Sequence, residues 1–204
     1  MGMCASLHRA SAEDAAWIRE HPRDVMYDYF AYDRPQPRAG GIMGFLKRLS
    51  PITITETASQ PEPSKKVDTS TERRAHDEVD LDKAWHGLHF LFTGASDGGD
   101  EPACYLLSGG DEVGEDEWGD PVARMLGPAQ VRSFGGFLNE LGRDTLTARF
   151  DPARMTELEI YPDLIWERDE RDETLGYLLE NFETLRGFVA RAAESGDSVV
   201  IHVA

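Results

Sequence analysis

Two histidines provide the first spacing in this sequence that could carry chemistry. His86 and His89 are three residues apart in a stretch with helical periodicity, so both side chains would lie on one face of a helix. Such a pair could share a metal ion, but zinc needs three or four ligands, and neither an HExxH nor a CxxC pattern accompanies the histidines. We therefore predict no metal site and interpret the two histidines as a titratable face that lines a ligand pocket.

Ser96 is the second candidate, because residues 94–98 match the G-x-S-x-G pattern of a nucleophile elbow. The order Ser, acid, His is available, since many carboxylates and then His202 follow. That elbow normally joins a strand to a helix, whereas here helical periodicity precedes the pattern and no helix opens directly after it. The ordinary interpretation is a helix end followed by a loop. A small hydrolase that uses Ser96 or the His86/His89 face is the alternative hypothesis, and whether the protein is an enzyme stays open.

A run of carboxylates follows the serine. Residues 97–120 contain nine acidic residues and no Lys or Arg. The D-x-[DN]-x-[DN]-G pattern of an EF-hand calcium loop is absent, so the ordinary interpretation is a solvated loop. The functional interpretation, which we favour, is a recognition loop in which Asp111 and Glu112 supply charge and Trp118 is an aromatic anchor.

Two aromatic residues near Pro162 complete the set of candidates. Tyr161 and Trp166 could form the wall of a ligand pocket, although such residues more often fill a core. The predicted ligand- or partner-binding residues are these two together with His86, His89, Asp111, Glu112 and Trp118. No catalytic residue is assigned. The sequence contains no phosphate-binding loop and no dinucleotide fingerprint, so we predict no cofactor.

The charge balance narrows the range of partners. The 204 residues carry a net charge of −17, which argues against binding to nucleic acid and to an anionic membrane surface. The same charge permits a basic protein partner, because the field of the acidic chain would steer its approach. A small ligand is the other partner that we consider. Nothing in the sequence predicts an oligomeric state.

The cellular location is inferred from sequence features that are absent. No stretch approaches the roughly 20 apolar residues of a membrane helix, and no secretory pattern opens the sequence. The two cysteines, Cys4 and Cys104, are too few to make a disulfide scaffold. We therefore predict a reducing, cytoplasmic location.

The elements that would position these residues follow from periodicity and capping signals. Ser11 and Asp14 form a capping box, which predicts a helix directly after a first strand at residues 4–8. Residues 159–166 are predicted to be extended because a proline lies within them, and residues 198–203 to be a final strand. Further helices are predicted over residues 80–93, with Asp80 as the N-cap, 128–141 and 169–194.

The composition changes between residues 36 and 76, where Pro, Gly, Ser, Thr, Lys and Glu dominate. We interpret this segment as a polar, flexible insertion. The piece that precedes it is too small to hold a core of its own, so the prediction is one domain over residues 1–204. The predicted fold class is α+β: several helices packed on a small mixed sheet that includes strands near both termini.

Several of these stretches together resemble the YfbM-like family of uncharacterised bacterial proteins. The matching residues are Met-Gly-Met at 1–3, Leu-Asp-Lys-Ala-Trp at 81–85, His-Phe at 89–90, Thr-Gly at 93–94 and Glu-Ile-Tyr-Pro at 159–162. The resemblance covers the chain except the insertion. It implies a compact bacterial cytosolic domain that mixes helices and strands, and it supplies no activity, so no catalytic residue carries over. The leading hypothesis is an interaction module that presents the acidic loop and an aromatic-histidine pocket.

Overall fold

The two ends of the chain form the centre of a sheet. Strand β1 (Ala5–Ala10) pairs antiparallel with β5 (Ser198–Val203), and Leu7 lies opposite Ile201. Side chains alternate between the two faces of a strand, so Leu7 and Ile201 point into one core while Val200 points into another.

Three shorter strands complete the sheet. These are β2 (Glu78–Asp80), β3 (Asp111–Val113) and β4 (Ala123–Leu126), and the order across the sheet is β2-β1-β5-β4-β3. The prediction of an α+β domain with strands near both termini is confirmed. The pairing differs from the expected mixed sheet, because the four strand pairs that the described residues form are all antiparallel.

The computed structural model describes residues 2–30, 77–163 and 165–204, and these belong to one compact unit. The predicted insertion at 36–76 lies outside the described residues. No helix in the described part of the chain is both long enough and apolar enough to cross a membrane.

Helices cover both faces of the sheet. A π-helical turn spans Val25–Tyr29 and a 3₁₀ turn spans Ala103–Leu106. The α-helices among the described residues are α1 (Ala12–Glu20), α2 (Ala84–Thr93), α3 (Pro128–Glu140), α4 (Arg143–Arg149), α5 (Pro152–Glu157) and α6 (Arg171–Ser195).

Local capping explains where several helices begin and end. The Ser11 hydroxyl accepts from the Asp14 N–H, and the Asp14 carboxylate accepts from the Ser11 N–H, both at 3.2 Å, which is the predicted capping box. Gly94 and Gly196 end α2 and α6 with φ of 76° and 71°. Glycine adopts this left-handed conformation without steric cost, so each helix stops there.

The helices pack into two apolar cores. The larger core lies between one sheet face and helices α2, α3 and α6, and its largest fully buried side chains include Phe134, Phe182 and Trp166. A smaller core lies on the opposite face, where Ile18 of α1 meets Val200. Helix α2 is nearly surrounded by the larger core, and it therefore holds His86 and His89 in fixed positions.

Two local predictions are corrected by the structure. Helix α2 begins at Ala84 rather than near Asp80, because Asp80 is the last residue of β2 and its carboxylate accepts from the Asp82 N–H at 2.7 Å. Asp82 has a φ of 45°, which interrupts any helix at that point. Residues 159–163 form turns and bends rather than the predicted extended segment, and the Ile160 N–H bonds back to the Met155 carbonyl at 2.9 Å.

Candidate functional site

His86 joins three parts of the chain through its ring. Its Nε2 lies 2.7 Å from the Ser96 carbonyl oxygen, and its Nδ1 lies 2.9 Å from the Tyr161 backbone nitrogen. The carbonyl can only accept and the backbone N–H can only donate, so Nε2 carries the proton and Nδ1 is the acceptor. Both nitrogens are therefore engaged, and neither is available as a base or a metal ligand.

Protonation would break this arrangement. A doubly protonated His86 ring could no longer accept from the Tyr161 N–H. Burial lowers the pKa of His86, although the Ser96 carbonyl and the Asp97 charge oppose the change. The geometry and the pKa agree that His86 is neutral at pH 7.

Aromatic rings enclose His86. The Trp85 ring stacks on the His86 ring at a centroid distance of 4.9 Å, and it also stacks on Tyr161 at 5.7 Å. Trp85 is buried and its Nε1 donates to the Met3 carbonyl at 3.3 Å. Trp166 is 1% exposed, and its Nε1 donates to the Ile160 carbonyl at 2.6 Å. The indole nitrogens of Trp85 and Trp166 are thus used for internal hydrogen bonds.

His89, one turn further along α2, is in a different situation. The residue is 0% exposed, and neither ring nitrogen has a hydrogen-bonding partner of normal geometry among the described residues. Burial lowers its pKa to about 4, with a further contribution from the nearby His86. Asp97 opposes this change through its charge and its backbone, and Arg124 adds to it. His89 is therefore a buried neutral imidazole.

Sequence reasoning missed Arg124, which lies on β4. Its Nη1 donates to the Gly109 carbonyl at 2.8 Å and its Nη2 to the Leu106 carbonyl at 2.9 Å. These contacts hold the end of the 3₁₀ turn and the start of the following loop. Burial lowers the pKa of Arg124. The signal in the sequence was a charged residue inside a short apolar run at 123–126, a pattern typical of a strand with one buried charge.

A second polar cluster that the sequence did not reveal surrounds Asp82. The Tyr177 hydroxyl donates to the Asp82 carboxylate at 3.0 Å and accepts from the Lys83 N–H at 3.1 Å. The Cys4 thiol lies 3.5 Å from the other carboxylate oxygen. Burial and the neighbouring Asp82 raise the pKa of the Cys4 thiol, so it is not an activated nucleophile. This cluster ties the N-terminal residues to α6.

The surroundings of Ser96 differ from a nucleophile elbow. Gly94 ends α2 in the left-handed conformation, and bends rather than a strand and a helix surround Ser96. His86 contacts the Ser96 carbonyl, not its hydroxyl. His202 shares a sheet face with Val200, away from the core that α2 occupies, and its ring stacks on Phe30 at 4.7 Å.

Trp118 is presented on a closed turn at residues 116–120, which we call the Trp118 turn. The Asp116 carboxylate accepts from the Trp118 N–H at 2.8 Å and from the Asp120 N–H at 3.0 Å. The Asp116 N–H in turn donates to the Asp120 carbonyl at 3.0 Å. Trp118 is 87% exposed. The backbone of this turn is thus fixed while its indole ring stands in solvent.

The carboxylates near this turn fall into two groups. Asp111 pairs with Arg19 at 3.3 Å, and Glu115 pairs with Arg23 at 3.5 Å. The Glu115 N–H also donates to the Pro22 carbonyl at 2.8 Å, which anchors the loop to the end of α1. The carboxylates without an ion pair among the described residues include Glu112, Glu117 and Asp120. We call the exposed residues Asp111, Glu112, Glu117, Trp118 and Asp120 the acidic surface.

The structure therefore divides the predicted site residues between two places. His86, His89, Tyr161 and Trp166 gather around α2, where they are half-buried or buried. Asp111, Glu112 and Trp118 lie on β3 and the Trp118 turn, where all three are exposed. Among the described residues, no three His, Cys, Asp or Glu side chains are grouped so that they could hold a metal ion.

Comparison with known proteins gives a family and a fold. The family model described as "Domain of unknown function (DUF1877)" matches residues 1–202. The chain is similar in structure to YfbM from Escherichia coli, a protein of unknown function, with a TM-score of 0.63 and 15% sequence identity over 98% of this chain and 99% of that one. None of the curated proteins matches. At this identity the structural likeness concerns the fold alone.

Proposed function

Because this chain belongs to the DUF1877 family of unknown function, whose description supplies no activity, we propose its function from the geometry. We propose that the protein is a cytoplasmic interaction module that binds a basic protein through the acidic surface. The free thiols of Cys4 and Cys104 support a reducing location.

The observation that carries the proposal is the exposure of Trp118 on a fixed turn. Tryptophan is among the residues that most often dominate the energy of protein interfaces. Here the indole ring is 87% exposed, while two backbone N–H groups bonded to the Asp116 carboxylate hold the turn closed. A turn that is already ordered loses little conformational entropy on binding. Exposure on an ordered turn therefore supports a role for Trp118 as an anchor for a partner.

The charges around Trp118 define the kind of partner. Glu117 and Asp120 flank Trp118 in the sequence, are exposed, and have no ion pair among the described residues. Opposite charges on a partner would steer the encounter and fix its register. The net charge of −17 adds a long-range attraction for a basic protein. A basic partner with an apolar pocket for the indole ring fits both features.

The cluster of Trp85, His86, Tyr161 and Trp166 around α2 gives less support to a function in which the protein binds a small ligand. Both nitrogens of His86 and the indole nitrogens of Trp85 and Trp166 bond to the chain itself. In our proposal this cluster is the frame that fixes the loops next to α2. The alternative of a small hydrolase also has less support, because His86 bonds the Ser96 carbonyl and leaves the serine hydroxyl without this base.

The test is a binding comparison between matched variants. Trp118→Ala removes the anchor, and Met3→Ala removes another large exposed apolar side chain from a different part of the surface. Each purified variant is used to capture proteins from a native lysate at low and moderate salt, after thermal unfolding has shown that the folds are equal.

A basic protein retained by the wild type and by Met3→Ala, lost with Trp118→Ala and released by salt, is the expected result. Retention that is unchanged by Trp118→Ala would refute the proposed surface.

A further inference from the structure

Strand β3 is an open edge of the sheet. It pairs with β4 on one side, with Glu112 opposite Arg124, and it is the last strand in the sheet order. On its other side, no described residue makes a backbone hydrogen bond to residues 111–113. An edge of this kind presents unpaired N–H and C=O groups that another strand can use.

The negative charge of this edge determines which kind of strand can pair with β3. Asp111 and Glu112 are both exposed, and their side chains point to opposite faces of the sheet. A second copy of β3 would bring carboxylates against carboxylates, which is unfavourable for directly opposed pairs. A basic strand would meet opposite charge on both faces. The edge therefore disfavours self-association and admits a basic chain.

Glu112 is the residue of this edge whose charge is most available. Asp111 already pairs with Arg19 at 3.3 Å. Arg124, the cross-strand neighbour of Glu112, directs its guanidinium to the Leu106 and Gly109 carbonyls and forms no ion pair with Glu112. Within the described part of the chain, the Glu112 carboxylate is therefore without an ion pair.

The carboxylates at the other edge of the sheet are engaged by side chains and backbone of the chain itself. Beside β2, the Asp77 carboxylate is bonded by Arg9 at 3.1 Å and by Arg191 at 2.9 Å. Within β2, Glu78 lies 3.4 Å from His8, and Asp80 bonds the Asp82 N–H. These contacts occupy the charges of β2. By contrast, Glu112 of β3 has no ion pair with any residue that the structure describes, and the exposed Trp118 lies in the loop that follows β3.

We propose that β3 is the docking edge for an extended basic segment of the partner, which adds to the sheet beyond β3 and packs beside Trp118. This inference rests on the proposed function and specifies how the acidic surface binds. Backbone hydrogen bonds to residues 111–113 hold the segment, and a Lys or Arg of the segment faces Glu112. The segment therefore has to be both extended and basic.

The probe is a nine-residue peptide that alternates lysine with valine, labelled for fluorescence anisotropy. Its control has the same side chains but is N-methylated along its centre, which keeps the charges and removes the backbone donors. The protein variants are Glu112→Lys and Glu140→Lys. Glu140 is an exposed carboxylate at the end of α3, so both variants change the net charge equally.

The expected result has three parts. The unmethylated peptide binds at low salt and slows amide hydrogen exchange at residues 111–113. N-methylation weakens binding about tenfold or more, since it removes the backbone hydrogen bonds. Glu112→Lys also weakens binding about tenfold, while Glu140→Lys changes it less than about twofold.

Equal affinity for the two peptides, no protection of residues 111–113, or no binding of either peptide would each overturn edge docking. The outcome for the proposed function is separate. If edge docking fails but Trp118→Ala still abolishes capture of a basic protein, the acidic surface binds its partner in another way. If Trp118→Ala leaves capture unchanged while β3 is protected by the peptide, the role of Trp118 is refuted.

Discussion

Acid should destabilise this protein through His89. The residue is 0% exposed, its pKa is lowered from the ordinary 6.5 to about 4, and neither ring nitrogen has a hydrogen-bonding partner of normal geometry among the described residues. The unfolded chain binds a proton at this histidine below pH 6.5, while the folded chain resists protonation until about pH 4. The free energy of unfolding is therefore unaffected by protonation of His89 above pH 6.5, and it decreases as the pH falls from 6.5 towards 4.

The size of the effect follows from the same difference. One unit of pKa corresponds to 1.36 kcal/mol, so the shift of His89 is worth about 3 kcal/mol of the free energy of unfolding. That is a large fraction of the roughly 5–15 kcal/mol that stabilises a typical domain. The loss should be steepest between pH 6 and pH 4.5, where the unfolded state takes up the proton and the folded state does not.

Urea unfolding followed by tryptophan fluorescence measures the free energy of unfolding at each pH. The variant His89→Phe removes the titrating group and keeps a planar ring, so its stability at pH 7 should be close to that of the wild type. His21→Asn is the control, because His21 is half-exposed at the end of α1. We expect wild type and His21→Asn to lose about 3 kcal/mol more than His89→Phe between pH 7 and pH 4. Parallel pH profiles for all three proteins would refute the reasoning.

Three further substitutions test the packing around the site by urea unfolding. Gly87→Ala should cost about 1–3 kcal/mol, because an added Cβ would lie 2.8 Å from both Leu178 and Trp166; a smaller loss would mean that these side chains can move. Trp166→Phe should cost about 1–3 kcal/mol, since it leaves the buried Ile160 carbonyl without its donor; an unchanged midpoint would contradict that hydrogen bond. Arg124→Met should cost about 2–3 kcal/mol by freeing two carbonyls, and amide exchange in the adjoining 3₁₀ turn should rise; unaltered exchange would argue against its capping role.

The elements that the sequence predicts well are those with local causes. The capping box at Ser11, the proline that starts α3 and the glycine at position 196 act within one turn of the chain. The final strand is also predictable, because β5 is rich in β-branched residues. No distant residue is needed to explain any of these signals.

The short strands could not be predicted for the opposite reason. β2 and β3 each have three residues, too few for alternation to be recognised, and they are strands because β1 and β4 lie beside them. Asp80 illustrates the ambiguity, since a residue suited to a helix N-cap ends β2 and bonds the Asp82 N–H instead. Strand pairing over long sequence separations is a tertiary property.

The candidate site shows the same limit. Helical spacing predicts that His86 and His89 share a face, and the structure places both on α2. Which atoms meet them depends on Ser96 and on Tyr161, a residue 75 positions away from His86. The sequence also marks Trp118 among carboxylates, but the fixed turn becomes visible only through the Asp116 hydrogen bonds. Composition identifies Trp118, whereas the order of its turn depends on backbone hydrogen bonds that only the structure shows.

Arg124 explains how an acidic exterior can keep its charge. A half-buried guanidinium one strand away from Glu112 would be expected to pair with it, and such a pair would neutralise the edge. The Leu106 and Gly109 carbonyls satisfy Arg124 instead. Arg124 can therefore support the loop from inside without neutralising the carboxylate outside. Arg124→Met should accordingly weaken binding of the basic peptide only through disorder of the loop, whereas Glu112→Lys should weaken it with the loop intact.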